Sequence, residues 1–174
     1  MNNIVLLGFM ASGKTTVGKE LARYLGYQFV DTDTAVEQRE ERAIAEIFSA
    51  EGENYFRDRE HEIMRELLQG EFQVVATGGG IISRPENVAV LQGCKDFTVW
   101  LDISPEEVIK RTQGDETRPL LKTEDEKEKR NRIENLLKIR YPLYDAATQI
   151  RISVDDKTSE EIIAEILQHY GEKK

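Results

Sequence analysis

Gly8-Phe9-Met10-Ala11-Ser12-Gly13-Lys14-Thr15 is the stretch that decides the fold of this chain. It matches G-x-x-x-x-G-K-[ST] at every fixed position, and it stands where that motif works, between a strand and a helix. The apolar run Ile4 to Leu7 precedes it, and a helical pattern from Lys14 to Leu25 follows, with Val17, Leu21 and Leu25 on one face and Gly26 as the stop. In such a loop glycines let the backbone wrap so that successive N–H groups point at phosphate oxygens. The helix N-terminus adds a partial positive charge, and Lys14 adds a full one. The Thr15 hydroxyl is placed for Mg²⁺. The motif implies a nucleoside triphosphate without saying what becomes of its phosphate. No D-x-x-G or N-K-x-D sequence occurs, which excludes a GTPase, and 174 residues are too few for an ATPase motor. A small-molecule kinase is the economical remainder.

Working outward, Gln28 to Val30 reads as a second strand, and Thr34 with Glu37 as a capping box for a helix through Glu40. Short and long helices are expected at Ala43 to Ala50 and Asn54 to Gln69, the latter with Phe56, Ile63, Met64, Leu67 and Leu68 at helical spacing. Strands at Phe72 to Ala76 and Phe97 to Leu101 flank a helix opened by Pro85. Ser104, Pro105 and Glu107 cap a helix reaching Thr112. Gln113 to Lys129 is polar, with Leu120 and Leu121 its only large apolar residues, and is expected to be mobile. A helix from about Glu128 to Arg140, a strand at Ile150 to Val154, and a helix capped by Thr158 and Glu161 and stopped by Gly171 complete the chain. Strands alternating with helices give an α/β fold, a parallel sheet covered on both faces. No repeat or linker divides it, so residues 1–174 form one domain.

With 24 Lys+Arg against 33 Asp+Glu the net charge is −9, and no basic block is present. Such a chain repels phosphate backbones, so neither nucleic acid nor an anionic membrane is expected as a partner. Any anionic ligand must meet a locally positive site. The lone Cys94 makes no internal disulfide, the N-terminus lacks a signal-peptide pattern, and no apolar run approaches membrane-spanning length, so a cytoplasmic protein is expected.

Asp31 and Asp33 follow the second strand and so reach the C-terminal edge of the sheet, where open α/β sheets bind ligands. One can hold the Mg²⁺ hydration shell and the other accept a proton from an attacking hydroxyl. Asp33 could equally help cap the helix beginning near Thr34, and spacing does not decide between these. Arg57 and Glu60, three apart on a helix, can touch, so that Glu60 orients the guanidinium for a bidentate grip on an anion; a solvated surface pair is the alternative. Gly78-Gly79-Gly80 strips every Cβ from a strand end in the crevice and lets backbone approach a ligand, unless it is merely a flexible turn. Arg118 lies in the polar stretch, and Arg140 sits near a helix end with Tyr144 four residues on. His61, His169 and the charges from Arg39 to Arg42 read as solvated, and Trp100 as core.

In order and approximate spacing, the phosphate loop, Asp31-Thr32-Asp33, Phe56-Arg57 with Glu60, the glycine triplet, Arg118-Pro119-Leu120-Leu121 and Arg140 with Tyr144 resemble the shikimate kinases. These are P-loop kinases related to the nucleoside monophosphate kinases. The resemblance implies ATP-dependent phosphorylation of the 3-hydroxyl of shikimate, on the way to chorismate. It further implies a three-layer fold with a five-stranded parallel sheet in the order 2-3-1-4-5. Ala11, Ser12, Gly13, Lys14, Thr15 and Thr16 would form the phosphate cradle, with Thr15 and, through water, Asp31 on Mg²⁺. Asp33, Arg57, Gly79, Gly80 and Arg140 would hold shikimate, and Lys14, Asp33 and Arg118 would act in catalysis. Arg118 would reach the ATP phosphates from a lid around residues 112–124. Residues 32–60 would form the substrate-binding segment, and a monomer is expected. Beside the adenine, where the family often has an arginine after the last strand, this chain offers Lys157. Two rivals stand against this reading. A gluconate-type kinase would share the loop but has no need of Arg57 and Arg140, and a nucleotide-binding module would lack a base at Asp33.

Overall fold

A computed structural model describes residues 2–113 and 125–171. Ile4–Leu7 forms β1, whose four residues are all buried, as a central parallel strand covered on both faces requires. β2 (Gln28–Asp31), β3 (Gln73–Ala76), β4 (Phe97–Asp102) and β5 (Ile150–Ser153) join it in one parallel sheet of order β2-β3-β1-β4-β5. Val5 stands between Val75 and Thr98 in register, so β1 is flanked on both sides. This is the order that the resemblance implies.

The period of two along the strands sorts their side chains into two cores. Ile4, Leu6, Val74, Val99 and Leu101 pack under α1 (Lys14–Leu25) and the last helix (Ser159–Gly171). Val5, Leu7, Val75 and Trp100 face the opposite layer with Val88, Leu91 and Tyr144. Trp100 is 1% exposed, so its assignment to the core holds. A third, smaller core of Val36, Ile47, Phe56 and Ile63 holds together α2 (Thr32–Glu40), α3 (Ile44–Ala50) and α4 (Gly52–Leu67).

Several boundaries differ from expectation for identifiable reasons. α2 begins at Thr32, two residues early, because Asp31 is its N-cap and accepts a hydrogen bond from the Asp33 N–H at 3.0 Å. The Thr34–Glu37 box does not form; Glu37 Oε1 instead accepts from the Ile44 N–H at 3.0 Å and ties α2 to α3. Ser104 Oγ accepts from the Glu107 N–H at the start of α6 (Pro105–Arg111), yet the Ser104 N–H donates to Asp155, so that box is half made. The Thr158–Glu161 box forms in both directions. After α5 (Pro85–Gly93), α7 runs from Glu126 to Ala147, straight through Pro142 and a full two turns beyond Arg140. α8 is the last helix, Ser159–Gly171. The Arg39–Arg42 run is not simply solvated: Arg39 ion-pairs with Glu66 on α4, and Arg42 with Glu40 and Glu51.

Candidate active site

The C-terminal ends of β1, β2 and β3 open into a cleft of about 740 Å³, within the size range of small-molecule sites. The phosphate loop forms its floor. Gly8 has φ +152°, and a Cβ there would come within 2.5 Å of the Leu101 carbonyl, so only glycine lets β1 turn here. Ala11 is held at φ +62°, a left-handed conformation that strains a non-glycine residue and is typical of functional loops. Lys14 Nζ folds back over the loop and donates to the carbonyls of Gly8 and Phe9, both at 2.9 Å. Ala11, Ser12, Gly13, Lys14, Thr15 and Thr16 all line the cleft, together with Asp31, Asp33, Gly79 and Lys157. The expected cradle residues are therefore gathered in one place.

Thr15 Oγ1 donates to Asp31 Oδ2 at 3.0 Å, which brings a hydroxyl and a carboxylate oxygen to one point beside the phosphate floor. That pair suits a Mg²⁺ ion held by the hydroxyl directly and by the carboxylate through a water of its shell. Asp31 is at once the last strand residue, the helix cap through Oδ1, and the partner of Thr15 through Oδ2. Asp33 is thereby released from capping, and it stands half-buried in the first turn of α2. Burial and the nearby Asp31 charge push its carboxyl up to about 6, against the downward pull of Lys14 and Arg57. A carboxylate of raised basicity beside a phosphate cradle is equipped to take a proton near neutral pH.

The glycine triplet works through what its missing side chains admit. A Cβ on Gly78 would lie 2.4 Å from Glu60 Oε1 and 2.6 Å from Asp33 Oδ1, and one on Gly80 would lie 2.5–2.8 Å from the Arg57 guanidinium. Gly79, by contrast, has room for a Cβ, its nearest neighbour being the Met10 nitrogen at 3.4 Å. Its carbonyl accepts from Arg140 Nη1 at 3.1 Å and from the Tyr144 hydroxyl at 2.7 Å. The Gly78 N–H donates to the buried Thr32 Oγ1 at 2.9 Å, which pins the triplet to α2.

Arg57 and Glu60 are not a solvated pair. Glu60 is fully buried, and its Oε2 accepts from Arg57 Nη1 at 2.7 Å, while Glu53 binds the other side of the guanidinium. Burial raises the Glu60 carboxyl above its ordinary value, although Arg57 draws it down, and its Oε1 has no hydrogen-bond partner. Two guanidiniums, Arg57 and Arg140, thus lie against consecutive glycines, Gly80 and Gly79. Arg140 also stacks over the Phe9 ring at 5.6 Å.

Arg118 lies outside the described residues, as does most of the 112–124 stretch. Lys157 lines the cleft with its ammonium ion-paired to Glu165 at 2.5 Å. Arg111 escaped the sequence reading. From α6 it donates to the carbonyls of Ala11 at 3.2 Å and Val154 at 3.0 Å while Glu107 holds its Nε, so it joins the phosphate loop to the end of β5 and lines the cleft. Its only sequence signal, a Glu107 four residues earlier, is that of an ordinary surface pair.

A phosphate cradle with a basic carboxylate on one side and paired guanidiniums beyond it defines a P-loop kinase that acts on a small anionic molecule. The sequence profile described as shikimate kinase matches residues 10–170. The chain belongs to the shikimate kinase family. It is 43% identical to the shikimate kinase of Symbiobacterium thermophilum over 173 residues, 98% of this chain and 97% of that one. It is 42% identical to that of Persephonella marina over 167 residues, 96% and 98% of the two chains. The structure of shikimate kinase from Acinetobacter baumannii in complex with shikimate superposes with a TM-score of 0.91 at 37% identity, covering 100% of this chain and 95% of that one.

Proposed function

We propose that this chain transfers the terminal phosphoryl group of ATP to the 3-hydroxyl of shikimate, with Asp33 as the base. The hydroxyl proton passes to the Asp33 carboxylate, the oxygen bonds to the γ-phosphorus, and the bond from that phosphorus to the β,γ-bridging oxygen breaks to release ADP. The observation that carries this reading is the placement of Asp33: it lines the cleft with Lys14 and Thr15, and it shares the space over Gly78 with Glu60, the buried partner of Arg57. Lys14 would exchange its loop carbonyls for β- and γ-phosphate oxygens and offset the charge that builds on them. Arg57 and Arg140 would take the shikimate carboxylate, a planar anion that suits a guanidinium fork, while Gly79 and Gly80 offer backbone beside it. Mg²⁺, when bound by Thr15 and through water by Asp31, would neutralise phosphate charge.

The same reading extends to the remaining parts. Residues 32–60 serve as the substrate-binding segment, supported by the separate core of Val36, Ile47, Phe56 and Ile63. Residues 112–124 act as a lid whose Arg118 reaches ATP, Arg111 and Lys157 flank the base of the nucleotide, and the protein works as a cytoplasmic monomer. No helix among the described residues is long and apolar enough to cross a membrane. The test is ATP consumption by the purified protein over shikimate, gluconate and nucleoside monophosphates. Turnover with shikimate alone is expected; a preference for either of the others would overturn the assignment.

A further inference from the structure

α4 carries Arg57 and Glu60, and two side chains from the segment after the glycine triplet grip it at and around them. Arg84, the N-cap residue of α5, donates from Nη1 to Asp58 Oδ1, between the two, at 2.6 Å and from Nη2 to the Asn54 carbonyl, upstream of both, at 3.2 Å. Downstream, Asn87 in the first turn of α5 is fully buried, and its Nδ2 donates to the Ile81 carbonyl at 2.7 Å. That leaves Asn87 Oδ1 as an acceptor, and it meets His61 Nδ1 on α4. His61 is therefore engaged rather than solvated, and its Nδ1 carries the proton. The turn between is itself tied to the triplet, since the Ile81 N–H donates to the Gly78 carbonyl and the Ser83 N–H to the Gly80 carbonyl. Gly80 in turn lies against the Arg57 guanidinium.

We propose that Arg84 and Asn87 are positioning residues for substrate binding, a two-point brace that sets α4 against the glycine triplet and so aims Arg57 at the substrate carboxylate. The proposal rests on the reading of Arg57 given above. Neither residue touches the cleft; each acts through α4. A brace matters here because Met64, in the C-terminal half of α4, packs in the core with Val75 and Ile81, whereas Phe56, beside Arg57, packs in the smaller core with α2 and α3, so the alignment of the Arg57 end depends on contacts that cross from it to the segment after the triplet. Misplacing a binding group by about 1 Å is enough to cost a large factor in turnover efficiency.

The test is a set of steady-state measurements on Arg84→Ala, Asn87→Asp and Arg57→Ala, singly and combined. Asn87→Asp keeps the size and the acceptor for His61 while replacing the donor to Ile81 with a second acceptor. Arg84→Ala is expected to raise the shikimate KM by ~3-fold and Asn87→Asp by ~10-fold, with the ATP KM unchanged in both. In an Arg57→Ala background the same substitutions are expected to change the shikimate KM no further, which a general loss of stability would not reproduce. Arg84→Lys, which keeps one donor, is expected to restore part of the loss. If Asn87→Asp does not fold, Arg84→Ala, at a partly exposed side chain, carries the test alone. If Arg57→Ala raises the shikimate KM but the brace variants leave it unchanged, or add to it in full, the brace is overturned and the Arg57 reading stands. If Arg57→Ala itself leaves the shikimate KM unchanged, both fall.

Discussion

At Gly78 and Gly80 one methyl group is enough to test how the site is assembled. Alanine at 78 drives a Cβ into the carboxylates of Glu60 and Asp33, and alanine at 80 drives one into the Arg57 guanidinium. These are the ends of side chains, which can swing aside, so both variants are expected to fold yet lose ~10-fold or more in kcat/KM for shikimate. Gly79→Ala, with ordinary contact distances, is expected to stay within a few-fold of wild type. A series in which Gly79→Ala is the worst of the three would contradict this geometry. Asp33 makes a second prediction, on pH. Its carboxyl is raised from 3.8 to about 6, so in the free enzyme kcat/KM is expected to fall about tenfold per unit below pH 6, as the base becomes protonated. The sign for stability is opposite. Between the unfolded and folded values the native state holds a proton that the unfolded chain has released, so Asp33 lowers stability as pH rises from about 4 to about 6 and keeps it lower above. Asp33→Asn is accordingly expected to melt higher than wild type at pH 8, by on the order of 3 kcal/mol at most, while losing ~10²–10⁴-fold in kcat. A lower melting temperature with kcat retained would make Asp33 a structural residue.

At the scale of elements, the end of β2 and the start of α2 share one residue, and substitution can separate its two duties. Asp31→Asn keeps an oxygen for the Asp33 N–H, so stability is expected to hold, while the Mg²⁺ concentration needed for half-maximal rate rises. Asp31→Ala is expected to lose the cap as well, at a cost of about 1 kcal/mol. Equal melting temperatures for the two would show that the cap contributes nothing. This junction also marks how far local sequence reaches. The phosphate loop is legible because its glycines, lysine and threonine have fixed jobs at fixed spacing. The α2 start is not, because Thr34 with Glu37 and Asp31 with Asp33 are both sound caps, and tertiary partners decide: Glu37 is drawn to Ile44, and Thr32 to Gly78. Tertiary packing likewise carries α7 past Pro142. That proline lacks the N–H that would bond the Lys138 carbonyl, yet α7 continues because buried Tyr144 and Ala147 pack on the sheet and Tyr144 reaches the Gly79 carbonyl. Arg111 was hidden because its partners are backbone carbonyls distant in sequence, and Asn87 because its Oδ1 meets a histidine on another helix, which no spacing rule records.

For the whole molecule the question is how a chain of net charge −9 holds two anions at once. The global field is screened beyond about 8–10 Å at physiological salt, whereas Arg57 and Arg140, as proposed, would act at hydrogen-bond distance from a largely buried position. The short-range attraction is therefore expected to win, and the shikimate KM to change by less than about threefold between low and physiological salt. Order along the chain made this arrangement readable, since the sheet order brings the ends of β2, β3 and β1 together, and with them the segments that carry Asp33, the triplet and Lys14. The closeness of Arg57 to Gly80 and of Arg140 to Gly79 was not readable, because it depends on side-chain packing across α4 and α7. The central claim, that these two arginines read the substrate carboxylate, is tested most directly by comparing shikimate with its neutral carboxamide in wild type, Arg57→Ala and Arg140→Ala. Wild type is predicted to prefer the acid, and each alanine variant to lose most of that preference, at a cost of ~2–5 kcal/mol in shikimate binding and little change for ATP. If both variants still favour acid over amide as strongly as wild type, the carboxylate is recognised elsewhere and the account is wrong.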